Sequence, residues 1–369
     1  MISSSRSGFN SLSLAYAFGA PEVKAVIKQQ PEDFYVDEIL GFEPSGAGEH
    51  IFLHVEKRCL TTLAVRDAIA KLAGCKLMDV GYSGLKDKWA VSRQWFSVYL
   101  PSKAEPNWSE LVTKAQSSQA YLRLLKVERH DRKLRRGTHK ENAFQLIVRD
   151  VEPLSTNAVD YFKTRIMAIC EQGFPNYFGS QRFSGNNLAK ARQLFETQKR
   201  MPREQRSLCL SAARSYLFNL LLSKRVSLDK WTRYIVGDIL ILAGCRSQFS
   251  LHEIDSVVAE NEQQETLKQQ VDRIEQRLKE GDIHISGPLC GRGVSALSAA
   301  ALQLETEVLT PEQALVDGLC QQGVEQARRP LRVIPKQFSW QFEREQLHLS
   351  FVLPTGSYAT VLLRELIEC

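Results

Sequence analysis

The last strand-like segment of the chain, 348–353, constrains the fold more than any other feature of the sequence. Leu349, Phe351 and Leu353 alternate there with polar or smaller residues, the pattern of a strand with one buried face. The other strand-like segments lie before residue 150, whereas helical periodicity prevails from about residue 155 onward. Because a lone strand needs neighbours in a sheet, we expect about 35 C-terminal residues to complete a sheet that begins near the N-terminus. The helical middle would then be an insertion.

Alternation and helical spacing predict the remaining elements. Strands are expected at 50–56, 79–83, 94–100, 121–127 and 142–148, and helices at 62–73, 158–171, 187–197 and 207–224. A threonine is available as the N-cap of the first helix, and Gly74 ends it. A short final helix follows the turn 354–357, with Ser357 as its expected N-cap.

Composition excludes several classes of protein. A length of 369 residues suggests two domains, or one domain with an insertion. No apolar run approaches the length of about 18 residues that a membrane-spanning helix needs, and no apolar leader stands at the N-terminus. The eight cysteines form no Cys-x-x-Cys pair, and the histidines show no zinc-binding spacing. We therefore expect a cytoplasmic protein with no metal site, no disulfide framework and no membrane contact.

Positive charge is concentrated in two segments. The first basic segment, 123–140, and the second basic segment, 181–214, each hold eight Lys or Arg and two acids, while the rest of the chain has 32 basic and 38 acidic residues. Each segment alone could be the solvated face of a strand or helix. Two such segments in an otherwise acidic chain favour contact with a polyanion, because dispersed Lys and Arg neutralise phosphates well.

The segment 84–88, Gly-Leu-Lys-Asp-Lys, joins two of the predicted strands. Asp87 has a lysine on each side, so its carboxylate is stabilised electrostatically and could act as a base or nucleophile without a metal. An ordinary turn aspartate is the alternative, because Asp tolerates turn geometry well.

The segment 176–183, Asn-Tyr-Phe-Gly-Ser-Gln-Arg-Phe, interleaves aromatic and polar residues. That mixture suits stacking on bases and polar contact with a nucleotide. The alternative, which composition favours, is the start of a helix whose aromatic residues belong to the core.

Several of these segments together resemble the TruD family of tRNA pseudouridine synthases. The segments 80–91 and 94–96 are similar to the family's catalytic motif, and 175–183 is similar to its other hallmark. Further similarities lie at 31–34, 132–137, 140–144, 210–214 and 353–360, in the family's order across nearly the whole chain. Trp89 and Tyr358 differ from residues common in the family, but neither change removes a group that the chemistry requires.

The resemblance implies an α+β fold, with a pseudouridine-synthase catalytic domain built on a mixed, mostly antiparallel sheet and an inserted α/β domain. The catalytic domain would comprise 1–172 and 334–369, and the insertion 173–333. The implied activity is isomerisation of uridine to pseudouridine at position 13 of transfer RNA, with no metal and no cofactor. Transfer RNA would be the partner of a monomeric chain that needs no protein partner.

The resemblance also assigns residues to a site. Asp87 matches the catalytic aspartate, and Lys86 matches a basic neighbour of it. The positions that hold the uridine are matched by Phe34, Asn142 and Tyr358, and Phe144 matches the ring beside the reacting base. Arg364 is a further candidate to pair with Asp87, with a solvated helix arginine as the alternative. We expect contacts with the RNA backbone from Arg132, Lys133, Arg135, Arg136 and Arg182.

Two other functions stay open at this point. A non-catalytic RNA-binding protein could use the same basic segments and keep Asp87 as a turn residue. A metal-free hydrolase acting on nucleosides would normally need a second positioned carboxylate, and no partner acid is evident near the motif.

Overall fold

The structure, a computed structural model, describes residues 14–101, 105–113, 119–153, 157–245, 247–250 and 262–368. These residues form two compact units. The sheet unit lies within Glu22–Phe162, Pro335–Gly356 and Ile367–Cys369, and the helical unit lies within Met1–Pro21, Lys163–Ile334 and Ser357–Leu366. The domain boundaries expected after residues 172 and 333 stay a prediction.

The sheet unit contains most of the described strands. They are β1 (Val23–Ile27), β2 (Phe34–Ile39), β3 (His50–Arg58), β4 (Val80–Tyr82), β5 (Val91–Tyr99), β6 (Tyr121–His130), β7 (Glu141–Pro153), β14 (Lys336–Glu343) and β15 (Gln346–Pro354). Its helices are α1 (Thr62–Ala73) and α2 (Glu110–Thr113), and α3 (Ala158–Gln172) contains residues of both units.

These strands form one sheet in the order β14-β15-β7-β2-β5-β3-β6, with β1 beside β7 and β4 beside β5. Every pair is antiparallel except β2 with β5. Strand β15 pairs with β7 from Leu347 to Pro354. The C-terminal strand therefore completes a sheet that begins near the N-terminus, which confirms the expectation from its alternation.

One face of the sheet packs against α1. Ile51 and Leu53 of β3 and Phe96 of β5 are fully buried there, together with Val65 and Ile69 of the helix. Burial of these side chains stabilises the unit by roughly 1.5–3 kcal/mol each.

Capping fixes the limits of α1. The Thr61 side chain accepts from the Ala64 amide (3.1 Å), and Gly74 ends the helix with φ of +57°, a left-handed conformation that glycine adopts without strain. The predicted threonine cap and glycine stop are confirmed.

The helical unit contains α4 (Asn187–Thr197), α5 (Arg203–Ser227), α6 (Glu262–Glu280), α7 (Ala299–Leu309), α8 (Gln313–Gln321) and α9 (Ala359–Arg364). Its strands β9 (Ile239–Leu242), β10 (Gln248–Ser250), β11 (Ile283–Leu289) and β12 (Ala327–Pro330) form a sheet in the order β10-β9-β11-β12, and β8 (Phe174–Pro175) pairs with β13 (Arg332–Val333).

Periodicity alone predicted only helices in this region, so all four strands of this sheet were missed, β11 among them. Gly287 and Pro288 interrupt its apolar residues and hide the alternation. Glycine is needed because a Cβ at position 287 would lie 2.8 Å from a Leu331 side-chain carbon and 3.1 Å from the Phe218 ring. Close packing of β11 against α5 therefore requires a glycine, and for that reason the sequence pattern did not indicate a strand.

The N-cap of the last helix was predicted one residue too early. Tyr358, and not Ser357, precedes the first helical residue of α9, with an extended backbone (φ −121°, ψ 118°). Its carbonyl oxygen accepts the first helical hydrogen bond, from the Val361 amide (3.0 Å), which places the start at Ala359. Within the described ranges, no helix is long and apolar enough to cross a membrane.

Candidate active site

Side chains from neighbouring elements hold the backbone of the turn 84–88 between β4 and β5. Gln94 Nε2 donates to the Gly84 carbonyl oxygen (2.6 Å), and Thr62 Oγ1 accepts from the Lys86 amide (3.0 Å). Thr62 Oγ1 also donates to Gln94 Oε1 (3.0 Å), which links the two anchors. Because both anchoring side chains are buried, they fix the turn in one conformation.

Two lysines hold Asp87 in this turn: Lys57 binds its backbone and Lys28 binds its side chain. Lys57 Nζ donates to the Asp87 carbonyl oxygen (2.9 Å) and to the Leu60 carbonyl oxygen (2.7 Å), and burial lowers the pKa of Lys57 to about 8. Lys28 Nζ forms an ion pair with Asp87 Oδ2, and 27% of the Asp87 side chain stays exposed. The carboxylate is therefore oriented by a lysine and still reachable from solvent.

One phenylalanine lies beside this ion pair, and a second phenylalanine packs against the first. The Lys28 ammonium is 4.0 Å from the centroid of the Phe34 ring, within reach of a cation–π contact. The Phe34 and Phe144 rings meet edge to face at 6.1 Å, because β2 and β7 are adjacent strands of the sheet. The structure thus brings two of the three aromatic residues predicted for the site, Phe34 and Phe144, into contact with each other.

A buried charge network supports the other predicted residues. Lys86 Nζ lies 3.0 Å from Glu38 Oε2 and donates to Asn142 Oδ1. The Glu38 side chain is fully buried, and burial raises the pKa of its carboxyl against the opposing charge of Lys86. Glu38 is the second acid that the sequence did not reveal, but its burial and its pairing with Lys86 keep it away from a substrate.

His139 orients the Asn142 amide. Burial, assisted by the charge of Lys86, lowers the pKa of His139 to about 3, so the ring is neutral at pH 7. Asn142 Nδ2 and His139 Nε2 are 3.2 Å apart, and because an amide nitrogen only donates, Nε2 must accept and the ring proton belongs on Nδ1. With respect to the part of the chain that the structure describes, Asn142 keeps one N–H and one lone pair of Oδ1 for a further partner.

The lysine and arginine residues of the loop 131–140 are exposed, although Lys133 donates to the Met78 carbonyl oxygen and Arg136 donates to Tyr82 Oη (3.1 Å). Arg132, Lys133, Arg135 and Arg136 are all exposed, as contact with a polyanion requires. The loop is anchored by buried Leu134, whose amide donates to Ser97 Oγ (2.9 Å). These four residues therefore present charge from a fixed loop, although their contact with RNA stays a prediction.

The remaining predicted residues lie in the helical unit. Arg182 donates to Tyr358 Oη (2.8 Å) and to Ser211 Oγ (3.1 Å), so it is half-buried within that unit. Arg364 pairs with Glu365 (2.9 Å), whose buried carboxyl has a raised pKa. Pairing of Arg364 with Asp87, and contact of Arg182 with RNA, stay predictions.

The segment 176–183 matches the alternative that composition favoured, in which its aromatic residues belong to the core. Tyr177, Phe178 and Phe183 are buried. Asn219 of α5 bridges the backbone of Phe178, accepting from its amide (2.8 Å) and donating to its carbonyl oxygen (3.0 Å). The three aromatic residues thus serve the packing of the helical unit. No group of three or more His, Cys, Asp or Glu among the described residues is placed to hold a metal ion.

Comparison with known proteins identifies the family. The family model of tRNA pseudouridine synthase D (TruD) matches residues 13–193 and 185–366. The chain belongs to the TruD family. The tRNA pseudouridine synthase D of Methylococcus capsulatus is 42% identical over 98% of this chain and 95% of its own length, and that of Aeromonas hydrophila is 40% identical over 96% and 94%. The prediction of an enzyme of the pseudouridine synthase class, an isomerase, is confirmed.

A solved structure confirms the fold of the TruD family. A crystal structure of a protein assigned as tRNA pseudouridine synthase D from Methanosarcina mazei superposes with a TM-score of 0.65, at 21% identity and over 96% of both chains. The predicted α+β class with mostly antiparallel sheets is therefore correct.

Sequence reasoning missed four residues around the TruD-family motif: Lys28, Glu38, Lys57 and His139. Lys28 lies 59 residues before its partner Asp87, and Glu38 lies 48 residues before Lys86, so no local spacing pointed to them. Only one weak signal existed for Glu38 and Lys57, namely that each is a charged residue at an inward position of a strand.

Proposed function

We propose that this chain converts uridine to pseudouridine at position 13 of transfer RNA, using Asp87 and neither metal nor cofactor. One observation carries the proposal: a rigid turn presents the Asp87 carboxylate, ion-paired with Lys28 and partly exposed, next to an aromatic ring. The names of the relatives support transfer RNA as the substrate. Because the proposed substrate is transfer RNA, we propose that the protein acts in the cytoplasm. We also propose that it acts as a monomer.

The reaction needs no group beyond those present. The bond from C1′ of the ribose to N1 of uracil breaks, the base turns, a bond from C1′ to C5 forms, and the C5 proton leaves while N1 gains one. An ionised carboxylate can add to the sugar or assist departure of the base. Either route uses Asp87 in the charged form that its ion pair with Lys28 requires.

The base must leave its helical stack before it can reach Asp87. In the sheet unit, Phe34 and Phe144 would contact the unstacked uracil, and Asn142 would bind its edge. Uracil offers an N3–H donor beside carbonyl acceptors, which matches the free lone pair and the free N–H of the Asn142 amide. Lys86 would fix the amide in place, since it donates to Asn142 Oδ1.

The residues that we expect to contact the RNA lie in both units. We propose that the loop cations, Arg132, Lys133, Arg135 and Arg136, neutralise backbone phosphates, because they are exposed on an anchored loop. For Tyr358 and Arg364 we propose contact with the uridine, and for Arg182 contact with the backbone, on the strength of the family motif alone.

Nucleoside analysis of an unmodified transfer RNA transcript, incubated with the protein in the presence of EDTA, tests the proposal. We expect pseudouridine at position 13 with the wild-type chain and a rate at least about 10⁴-fold lower with Asp87→Asn, because the charged oxygen is lost. Asp67→Asn is the matched control, since Asp67 is exposed on α1 and pairs only locally with Arg66.

Three results would contradict the proposal. Free uracil as the product would identify a hydrolase. Tight binding of the transcript with neither product would identify a non-catalytic RNA-binding protein. Pseudouridine that persists in Asp87→Asn would remove the aspartate from the mechanism.

A further inference from the structure

A cavity of about 750 Å³ lies in the sheet unit, and none of its lining residues is among those placed around Asp87. We call it the Phe42 pocket; its lining includes Phe42, His50, Phe52, His130, Arg132 and Arg135. Its size falls within the range of about 300–1,000 Å³ that small-ligand sites occupy. The proposed chemistry uses none of its aromatic residues.

The pocket lies on the face of the sheet opposite α1. Phe52 alternates along β3 with Ile51 and Leu53, which pack in the core cluster that includes α1 residues. Phe52 packs instead with Trp95 and Leu134 on the other face. The pocket is therefore separate from the catalytic turn, which is anchored from the α1 side.

Three aromatic rings in contact form the wall of the pocket. Phe42 is stacked on His130 (centroids 5.3 Å apart, planes at 30°), and His130 meets Phe52 edge-on at 4.7 Å. His130 Nδ1 accepts from the Ser45 amide (3.2 Å), which fixes the middle ring. Phe42 is 37% exposed, so a residue backed by a fixed ring still offers surface for stacking.

The loop that carries Phe42 is held against the end of β6. The Gly46 amide donates to the Arg129 carbonyl oxygen (3.0 Å), and a Cβ at Gly48 would meet the His130 carbonyl oxygen at 2.4 Å. Glycine at position 48 permits this approach, since its φ is +118°. The wall is therefore a fixed part of the fold.

The rim of the pocket is positively charged. Arg132, Lys133 and Arg135 face one acid, Asp131, among the lining residues. The Arg132 side chain is 85% exposed and lies 3.5 Å from Asp131, so its guanidinium is available for a stronger anion. Aromatic surface beside arginine is the combination that binds a base and its phosphate.

We propose that the Phe42 pocket binds one unstacked nucleotide of the transfer RNA other than the target, with its base against Phe42 and its phosphate on Arg132 and Arg135. The proposal rests on the proposed function for the identity of the ligand. It gives the enzyme a second point of attachment, which distinguishes a folded transfer RNA from an arbitrary uridine-containing strand.

The test measures dissociation constants of an unmodified transfer RNA transcript over a range of salt. Phe42→Leu keeps the apolar volume but removes the ring, and we expect binding roughly 10-fold weaker, with recovery in Phe42→Trp. Arg132→Gln and Arg135→Gln should each lower the slope of log K against log salt by about 0.7–0.9. Lys71→Gln, an exposed charge on α1, should leave the slope unchanged.

The outcomes separate this proposal from the proposed function. Wild-type affinity in Phe42→Leu overturns the pocket, whether or not pseudouridine forms and whatever the effect of Arg135→Gln, because Arg135 is also proposed to contact the backbone. Uridine monophosphate that binds in a Phe42-dependent manner, with transfer RNA affinity unaffected, also overturns it and identifies a free nucleotide as the ligand. Pseudouridine formation by the wild-type chain, assayed in parallel, reports on the proposed function by itself.

Discussion

The turn 84–88 and the segment 176–183 both belong to family motifs and both mix charged and apolar residues, yet they are built in opposite ways. In the turn, neighbouring side chains bind the backbone, and the Asp87 side chain stays partly exposed. In the other segment, the backbone is also bound, by Asn219, but the aromatic side chains are themselves buried. The fold therefore decides whether the side chains of such a motif are accessible or packed in the core.

The largest effect is expected from Asn219→Leu, which removes both hydrogen bonds to the Phe178 backbone. A buried amide and a buried carbonyl then lose their partners, so we expect the free energy of unfolding to fall by about 2–5 kcal/mol. Urea denaturation followed by circular dichroism measures it. A loss below about 1 kcal/mol would mean that the segment 176–183 is not held through its backbone.

A smaller effect, on rate instead of stability, is expected from Thr62→Val. The variant keeps the shape of the side chain but removes the oxygen that accepts from Lys86 and donates to Gln94. Because displacement of a catalytic group by about 1 Å can cost about 100-fold, we expect turnover roughly 10- to 100-fold lower. Single-turnover conversion of transfer RNA measures it. Thr61→Val is the comparison, since Thr61 caps the same helix without touching the turn; equal losses in both would contradict the anchoring role.

The smallest effect concerns acid stability. His139 has a pKa near 3 in the folded chain, below its ordinary 6.5, so its contribution to stability is full above pH 6.5 and is lost as the pH falls toward 3. Between pH 7 and pH 5 the free energy of unfolding of the wild-type chain should fall by roughly 2 kcal/mol through this group alone. His139→Gln keeps an acceptor for Asn142 but has no imidazole to protonate. Its free energy of unfolding should therefore fall by roughly 2 kcal/mol less over the same pH range.

His284 in the helical unit provides the comparison for this titration. Burial, assisted by Arg332, lowers the pKa of His284 to about 4, so His284→Gln should reduce the same loss between pH 7 and pH 5. Urea denaturation at the two pH values measures both variants. If neither variant differs from the wild-type chain in its pH dependence, the two histidines are not buried in neutral form.

Local signals explain how far sequence reasoning reached. The limits of α1 follow from a threonine cap and a glycine stop, and β15 follows from alternation, because each signal is contained within a few neighbouring residues. Strand β11 was missed because its glycine is required by close contacts with Phe218 and Leu331, which are distant in the chain. The cap of α9 was misplaced because the extended backbone of Tyr358 sets it, without a side-chain cap.

By itself, the sequence determined the family, the fold class and the residues of the motif: Asp87, Lys86 and Asn142 are each recognisable from their immediate neighbours. The tertiary structure alone decided which groups surround them. Lys28 reaches Asp87, and Glu38 reaches Lys86, only because a sheet places strands from separate parts of the chain side by side. Hydrogen bonds and ion pairs act over about 3 Å in space, and that distance bears no fixed relation to separation along the chain.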